Sequence, residues 1–119
     1  MGWETGDSVA YEKGLENSLF AACAFLGDEV VGMARVVGDG STCFYVQDVI
    51  VRPEHQQLGI GQALMEKVMD YVGEYACAGA VVGMMVAKDR EVFYEKFGFW
   101  KRPNEQFGPG MMQFWRESE

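Results

Sequence analysis

The richest chemical pattern in the sequence is VQDVIVRPEHQQLGIGQAL, at residues 46–64. A β-branched run ends at a proline, two glycines stand one residue apart at Gly59 and Gly61, and a helical pattern follows. The N–H groups at the start of a helix bind anions, and residues without a Cβ let a phosphate approach the backbone closely. The spacing matches neither a Walker A loop nor a dinucleotide-binding G-x-G-x-x-G motif, because Leu64 stands where the last glycine would be. This stretch therefore predicts a loop that holds a phosphate-bearing ligand.

Two titratable residues, Asp48 and Tyr94, are candidates for proton transfer. Asp48 is the one acid in FYVQDVIV, at residues 44–51, and burial there would raise its pKa. It is either a catalytic carboxylate or a structural residue bonded to the backbone or to an arginine. Tyr94 lies in FYEKFGF, at residues 93–99, and its phenol, with an ordinary pKa of about 10, is able to donate a proton. The alternative for Tyr94 is an aromatic residue packed on a helix.

The cysteines and the histidine give little indication of a functional site. Cys23, Cys43 and Cys77 are an odd number without C-x-x-C spacing, which favours neither a disulfide framework nor a zinc site. Each lies in an apolar run and is expected to be a small buried residue. His55 is the only histidine, so no metal site is predicted.

The elements that must position these residues follow from the hydrophobic pattern. Two apolar runs at hairpin distance predict antiparallel strands, and a crossover helix predicts that the third and fourth strands pair in parallel. Asp89 is expected to cap the last helix, and Gly98 to end it in the left-handed conformation. The order is α-β-β-β-α-β-α-β-β, an α/β fold with a mixed sheet and helices on its faces. The predicted elements are helix 8–17, strands 19–26, 30–37 and 44–51, helix 59–75, strand 80–87, helix 90–97, and strands 99–101 and 111–115.

Length and charge limit the class of protein. A chain of 119 residues, 49% hydrophobic, predicts a single domain over residues 1–119. The net charge of −8 gives the long-range field the wrong sign for nucleic acid or an anionic membrane. Residues 1–51 carry a net charge of −6, and residues 52–119 a net charge of −2. The sequence has no signal-peptide pattern, and no apolar run approaches the roughly 18 residues needed to span a bilayer, so we expect a cytoplasmic protein.

Two motifs together resemble a known family. The run Gln56-x-x-Gly59-x-Gly61-x-Ala63 resembles the acetyl-CoA-binding motif of the GCN5-related N-acetyltransferases (GNAT), and Phe93-Tyr94-x-x-x-Gly-Phe resembles a later motif of that family. The motifs occur in the family's order, and the resemblance covers residues 9–115. It implies the GNAT acyl-CoA N-acyltransferase fold, acetyl-CoA as cosubstrate, and direct transfer of an acetyl group to a primary amine. The alternative is a non-catalytic module that binds or senses acyl-CoA.

The resemblance also implies residue roles. Tyr94 would protonate the leaving CoA thiolate, and Asp48 would take the proton of the acceptor amine. The main chain of the third strand would bond the pantetheine arm, for which the third and fourth strands must splay apart. Lys96 could contact the cofactor or stay in an exposed ion pair. The cofactor-binding residues implied are Val49, Ile50, Val51, Gln56, Gln57, Leu58, Gly59, Ile60, Gly61, Gln62, Ala63 and Lys96.

The chain departs from the family at its N-terminus. Only 58 residues precede Gly59, so we expect the first strand of the family and its helix to be missing. Strand 19–26 would then form a bare sheet edge, which favours a homodimer through that edge or its coverage by the N-terminal residues. The missing elements line the acceptor pocket in the family, which leaves the acceptor open among small-molecule and peptide amines.

Overall fold

The computed structural model describes residues 8–115, with side chains from residue 12 onward. The chain divides into two compact units, one ending at Met85 and the other beginning at Val86. The single domain predicted over residues 1–119 stays a prediction. In the first unit the elements are α1 (Ser8–Glu16), β1 (Phe20–Leu26), β2 (Glu29–Gly38), β3 (Cys43–Val51), a 3-10 turn (Pro53–His55), α2 (Ile60–Tyr75) and β4 (Val81–Met84).

The sheet of the first unit has the strand order β1-β2-β3-β4. The pairs β1–β2 and β2–β3 are antiparallel, and β3–β4 is parallel, as the crossover helix predicted. The mixed α/β fold and these pairings are therefore confirmed. Among the described strands only β2 pairs with β1, so within residues 8–115 no strand pairs with the outer edge of β1. The N-terminal residues 1–7, the other predicted cover for that edge, lie outside the described residues.

One face of the sheet is covered by α2. Its side chains at 3–4 spacing, Leu64, Val68 and Val72, are buried as the periodicity predicted. Met65 is also fully buried, which the pattern did not indicate. The ring of Tyr71 stacks on Phe20 of β1, with 4.8 Å between the ring centroids. The core therefore lies between α2 and the sheet.

The turn between β2 and β3 is fixed by one glycine and one carboxylate. A Cβ on Gly38, whose φ is +146°, would lie 2.2 Å from the carbonyl oxygen of Cys43, so no other residue fits without movement of the backbone. The carboxylate of Asp39 accepts hydrogen bonds from the Thr42 hydroxyl and from the N–H groups of Ser41, Thr42 and Cys43. These bonds hold the pKa of Asp39 well below its usual range.

The second unit contains one short helix, α3 (Glu91–Glu95). Gly98 has a φ of +91°, which confirms the predicted left-handed residue after the helix. The predicted cap at Asp89 is wrong: the N-cap is Arg90, and Asp89 itself has a φ of +71°. The strands predicted at 99–101 and 111–115 are also wrong, since neither forms a ladder with a described strand. A loop stabilised by Asn104, whose side chain accepts two backbone N–H groups, lies between the two segments.

The expectation that the cysteines are buried is wrong as well. Cys23, Cys43 and Cys77 are all free thiols with exposed side chains. Side chains alternate between the two faces of β1, and the neighbours of Cys23 face inward, so the side chain of Cys23 points away from α2. Cys43 begins β3, and Cys77 lies in the turn after α2. An apolar run thus did not distinguish a buried strand from an edge strand or an element terminus.

Candidate functional site

An open stretch of strand edge lies on β3, next to a β-bulge. In the β2–β3 pair Arg35 faces Asp48, whereas Val36 faces Val46, so Gln47 is an extra residue on β3. The parallel pairing of β3 with β4 covers only Cys43 to Val46. From Gln47 to Val51, no described strand pairs with the edge of β3 that faces away from β2. The ladder between β3 and β4 thus leaves this part of β3 unpaired among the described strands, as the splaying expected from the family requires.

The glycine loop continues from the end of this open edge. Gly59 is the N-cap of α2, with a φ of +85° and no side-chain capping bond. Gln57 also has a positive φ, +67°. The first hydrogen bond of α2 runs from the Ala63 N–H to the Gly59 carbonyl, so the amides of Ile60 and Gly61 precede the helical ladder. These amides and the helix dipole make the start of α2 a site of positive potential suited to an anion.

Two side chains anchor the loop to the sheet. The Gln56 amide donates to the Val51 carbonyl at 3.1 Å. The Arg52 N–H donates to the Val31 carbonyl at 2.9 Å, and its guanidinium pairs with the carboxylate of Glu29. The side chain of Gln56, which the family resemblance places among the cofactor-binding residues, thus positions the loop on β3. Its contact with the cofactor stays a prediction.

A groove of about 480 Å³ lies between α2 and β1. The residues of the open edge of β3, Gln47 to Val51, are not among the residues that line it. Its lining is mainly apolar, and Lys67 is its one charged residue. Several predicted cofactor-binding residues also line it. These are Leu58, Gly59, Ile60 and Ala63.

Asp48 lies on the open part of β3, directly after the bulge. Its carboxylate accepts a hydrogen bond from Nε of Arg35 at 2.7 Å, and the two side chains are 18% and 12% exposed. Nη1 of Arg35 also donates to the Ser18 hydroxyl at 3.0 Å and to the Gly14 carbonyl at 3.2 Å. The sequence left two interpretations of Asp48 open, a catalytic carboxylate and a structural residue. This contact matches the structural interpretation, an Asp bonded to an arginine.

Tyr94 lies on α3 of the second unit, within an aromatic cluster. Its ring meets Phe93 edge to face, with centroids 4.9 Å apart, and Phe99 at 6.5 Å. Burial raises the pKa of the phenol above its ordinary value of 10.0, and the charge of Arg90 offsets part of this rise. The phenol therefore stays protonated at neutral pH. The ammonium of Lys96 lies 4.7 Å from the centroid of the Phe93 ring.

The structure thus brings most of the predicted cofactor-binding residues together in the first unit. Val49, Ile50 and Val51 follow the bulge, and residues 56–63 follow them through the loop into α2. Sequence reasoning missed Gln47 as the bulge and Arg35 as the partner of Asp48. Arg35 could have been found, since it is the one base in the second apolar strand and faces Asp48 across a short hairpin. No pattern in the sequence indicates the bulge.

Comparisons with known proteins agree with this geometry. The sequence matches the acetyltransferase (GNAT) family over residues 2–99, which is most of the chain. The chain therefore belongs to the GNAT family of acetyltransferases. It is similar to the chloroplastic serotonin N-acetyltransferase 2 of Oryza sativa subsp. japonica, with 36% identity over 90 residues, 75% of this chain and 42% of that protein. The chain spans 42% of the length of each curated relative that it matches.

Solved structures share the fold. A probable acetyltransferase from methicillin-resistant Staphylococcus aureus is similar, with a TM-score of 0.86 and 32% identity, covering 96% of this chain and 84% of that one. AAC(6′)-Iy, in complex with the bisubstrate analogue CoA-S-monomethyl-acetylneamine, has a TM-score of 0.63 and 16% identity, covering 98% of this chain and 84% of that one. At that identity the second likeness shows the fold alone.

Among the described residues no three His, Cys, Asp or Glu side chains are grouped so that they could hold a metal ion. No helix within residues 8–115 has the length and apolar character to cross a membrane.

Proposed function

We propose that this chain is an acetyl-CoA-dependent N-acetyltransferase that transfers the acetyl group directly to a primary amine. The observation that supports it most is the open edge of β3 leading into the start of α2. An extended amide-containing arm can pair with such an edge, and a pyrophosphate can bind at such a helix start. Both features lie in sequence on one continuous segment, residues 47–63, which suits one long ligand with an arm and a phosphate group.

In this proposal the main chain of Val49 to Val51 pairs with the pantetheine amides. The amides from Gln57 to Gln62 bind the pyrophosphate. Acetyl-CoA would supply an activated acetyl thioester: the amine would attack its carbonyl carbon, and the C–S bond would break to release the CoA thiolate. The open space at Gly59 supports this assignment, since a Cβ built there meets no protein atom within 4 Å. Ala63 and Lys96 complete the proposed cofactor-binding set.

Tyr94 is the proposed general acid. Its raised pKa keeps the phenol protonated at neutral pH, the form that can give a proton to a departing thiolate. Asp48 is the candidate base that removes the proton of the amine. Its ion pair with Arg35 favours a second role for this carboxylate, in positioning the strand.

The proposed acceptor is a cationic amine, either a small molecule or a peptide. The charge supports this choice, because residues 1–51, which include α1, β1, β2 and β3, carry a net charge of −6. Nucleic acid and membranes are not proposed as partners. The proposed location is the cytoplasm. Preferred turnover of anionic acceptors would contradict the proposed acceptor class.

A homodimer through the edge of β1 is also proposed. The seven residues of β1, FAACAFL, include no charge and no proline, the features with which edge strands avoid pairing. Phe25 and Leu26 at its end are 64% and 60% exposed. In the β1–β2 pair the extra residue, Val31, is on β2, so the outer edge of β1 stays regular. Light scattering at micromolar concentration tests it: we expect a dimer for the wild type and a monomer for Ala22→Pro, and a monomeric wild type would contradict the proposal.

One experiment distinguishes the proposed enzyme from the alternative function, a module that binds or senses acyl-CoA without catalysis. Acetyl-CoA should raise the melting temperature under both functions. Only an enzyme releases CoA when a panel of amines is added, and Tyr94→Phe should slow that release. Because all three cysteines are exposed, CoA is best measured by chromatography instead of with a thiol reagent. Tight CoA binding without release on any amine would favour the sensing module, and no binding would contradict both functions.

A further inference from the structure

We propose that the Arg35–Asp48 ion pair is a positioning device that holds the β3 bulge at Gln47 and so keeps the cofactor edge of β3 open. The inference rests on the proposed function, because it assigns the open edge to the CoA arm. It gives Asp48 a role through strand geometry, and it makes Arg35 and Ser18 part of the same device.

The pair lies at the point where the register of the β2–β3 ladder changes. Arg35 and Asp48 face each other as the last pair on their side of the bulge, and the next pair is Val36 with Val46. Gln47, between these pairs, has no partner on β2. A bulge can move along a ladder unless something fixes it, because the backbone bonds are similar in neighbouring registers. A charged bond between the two facing residues fixes it at this position.

The ion pair is also largely shielded from solvent, so it favours the register in which the two charges meet. The two side chains are 12% and 18% exposed, and the Nε–Oδ2 distance is 2.7 Å. Separating two such charges leaves each one poorly solvated, which costs far more than breaking an exposed ion pair. A slipped register that moved Asp48 away from Arg35 would therefore be disfavoured.

Arg35 connects the bulge to α1. Its Nη1 donates to the Gly14 carbonyl and to the Ser18 hydroxyl, and that hydroxyl donates to the Gly14 carbonyl at 3.0 Å. Gly14 is in the last turn of α1, where a positive charge interacts favourably with the helix dipole. The planar guanidinium can bond β3 on one side and α1 on the other, which a lysine ammonium does less well. The arginine thus joins three segments around the bulge.

The consequence concerns the open edge. If Gln47 entered the ladder, residues 48–51 would shift by one position relative to β2. Their side chains would exchange faces, and the N–H and C=O groups at the outer edge would exchange places. A pantetheine arm that pairs with the present edge would lose its partners. The pair should therefore control CoA affinity before any acceptor binds.

This role differs measurably from that of a general base. A base acts in the chemical step, so its loss lowers kcat and leaves CoA affinity unchanged. A positioning pair acts on the cofactor edge, so its loss weakens CoA binding in the absence of amine. It should lower kcat at saturating acetyl-CoA much less, and the pH profile of kcat should keep its shape.

The test measures CoA affinity by calorimetry, without acceptor, for Asp48→Asn and Arg35→Met. Lys13→Met, an exposed change on α1, is the matched control. We expect CoA affinity to fall about tenfold or more in the first two variants, from the charge left unpaired, and to stay unchanged in the control. Kinetics at saturating acetyl-CoA should show the kcat of Arg35→Met within a few-fold of the wild type. Unchanged CoA affinity in Asp48→Asn, with kcat lowered about 100-fold or more, would overturn the proposal in favour of a base.

A second variant covers the case in which a single change unfolds the chain. The double change Arg35→Met with Asp48→Leu replaces the pair by apolar groups, which proteins often tolerate. We expect it to fold and to bind CoA weakly, and wild-type CoA affinity would overturn the proposal. NMR contacts across β2–β3 report the register without any ligand: Ala34 near Val49 and Val36 near Val46 mark the native ladder. If wild-type protein does not bind CoA at all, the proposed function fails, and a native ladder in the double variant would still overturn the positioning role on its own.

Discussion

Gly59 offers the sharpest test of the phosphate-binding loop, because the chain contains a matched control. Gly59 has a φ of +85° and Gly79, in the turn before β4, has a φ of +84°. A Cβ built on either residue meets no protein atom within 4 Å. An alanine at either position is therefore strained by its backbone alone. Only Gly59 lies at the start of α2, where the pyrophosphate is proposed to bind.

The expected magnitudes follow from this match. A left-handed alanine costs about 1–2 kcal/mol, and the gain from a stiffer unfolded chain offsets about 0.4–1 kcal/mol of it. Gly59→Ala and Gly79→Ala should each lower the free energy of unfolding by about 1 kcal/mol, which lowers the melting temperature by about 4 °C. In Gly59→Ala the methyl group should also displace a phosphate from the loop amides. A charged hydrogen bond of about 1.5–3 kcal/mol corresponds to a loss of CoA affinity of about 10–100-fold.

The assay pairs thermal melting of the free protein with calorimetry of CoA binding. The melting temperatures of the two variants should agree, and their CoA affinities should differ by the factor given above. A Gly59→Ala protein that binds CoA within about threefold of the wild type would refute the reasoning, since one charged bond is worth more than that. An equal loss in Gly79→Ala would refute it too, because that loss would come from strain and not from the loop.

Three further predictions concern other parts of the chain. Tyr94→Phe should lower kcat by about 100-fold and leave CoA affinity unchanged. On the alkaline side of the pH profile, the wild-type rate should fall only above pH 10.0, because the phenol is active when protonated and burial raises its pKa. This alkaline fall should be absent in the variant. Asp39→Ala should lower the melting temperature at neutral pH, and the difference should shrink as the pH falls below 3.8, because a lowered pKa stabilises the fold only while the carboxylate is charged. Met65→Ala should lower the free energy of unfolding in urea by about 2–5 kcal/mol, against about 0.5 kcal/mol or less for the exposed neighbour Glu66→Ala.

Local sequence signals predicted the features that depend on short-range physics. The two glycines, the proline before them and the helical period placed the loop and α2 correctly, since each depends on neighbouring residues. The positive φ of Gly98 followed from its place after a helix. The parallel pairing of β4 followed from the crossover, a rule that needs no knowledge of side-chain contacts.

Features that depend on register or on neighbours in space were not predictable in this way. The bulge at Gln47 exists because the register of the β2–β3 ladder differs by one residue on its two sides. Nothing in FYVQDVIV distinguishes this bulged strand from a regular one. The segment 111–115 reads as a strand, yet no described strand lies beside it to form a ladder. Cys23 lies in an apolar run and is exposed, because its side chain is on the face of β1 that points away from α2. Each of these outcomes was decided by the neighbours of a strand in space and not by its own residues.

The net charge of −8 excludes fewer ligands than it first suggests. Long-range fields are screened over about 8–10 Å at physiological salt, whereas hydrogen bonds from backbone amides act at contact. The proposed loop carries its positive potential in uncharged groups, the N–H groups of residues 57–62, and the side chains beside it at Gln56 and Gln57 are neutral donors. It also lies in the half of the chain whose net charge is only −2. An acidic protein can therefore bind a polyanion when local dipoles supply the contact.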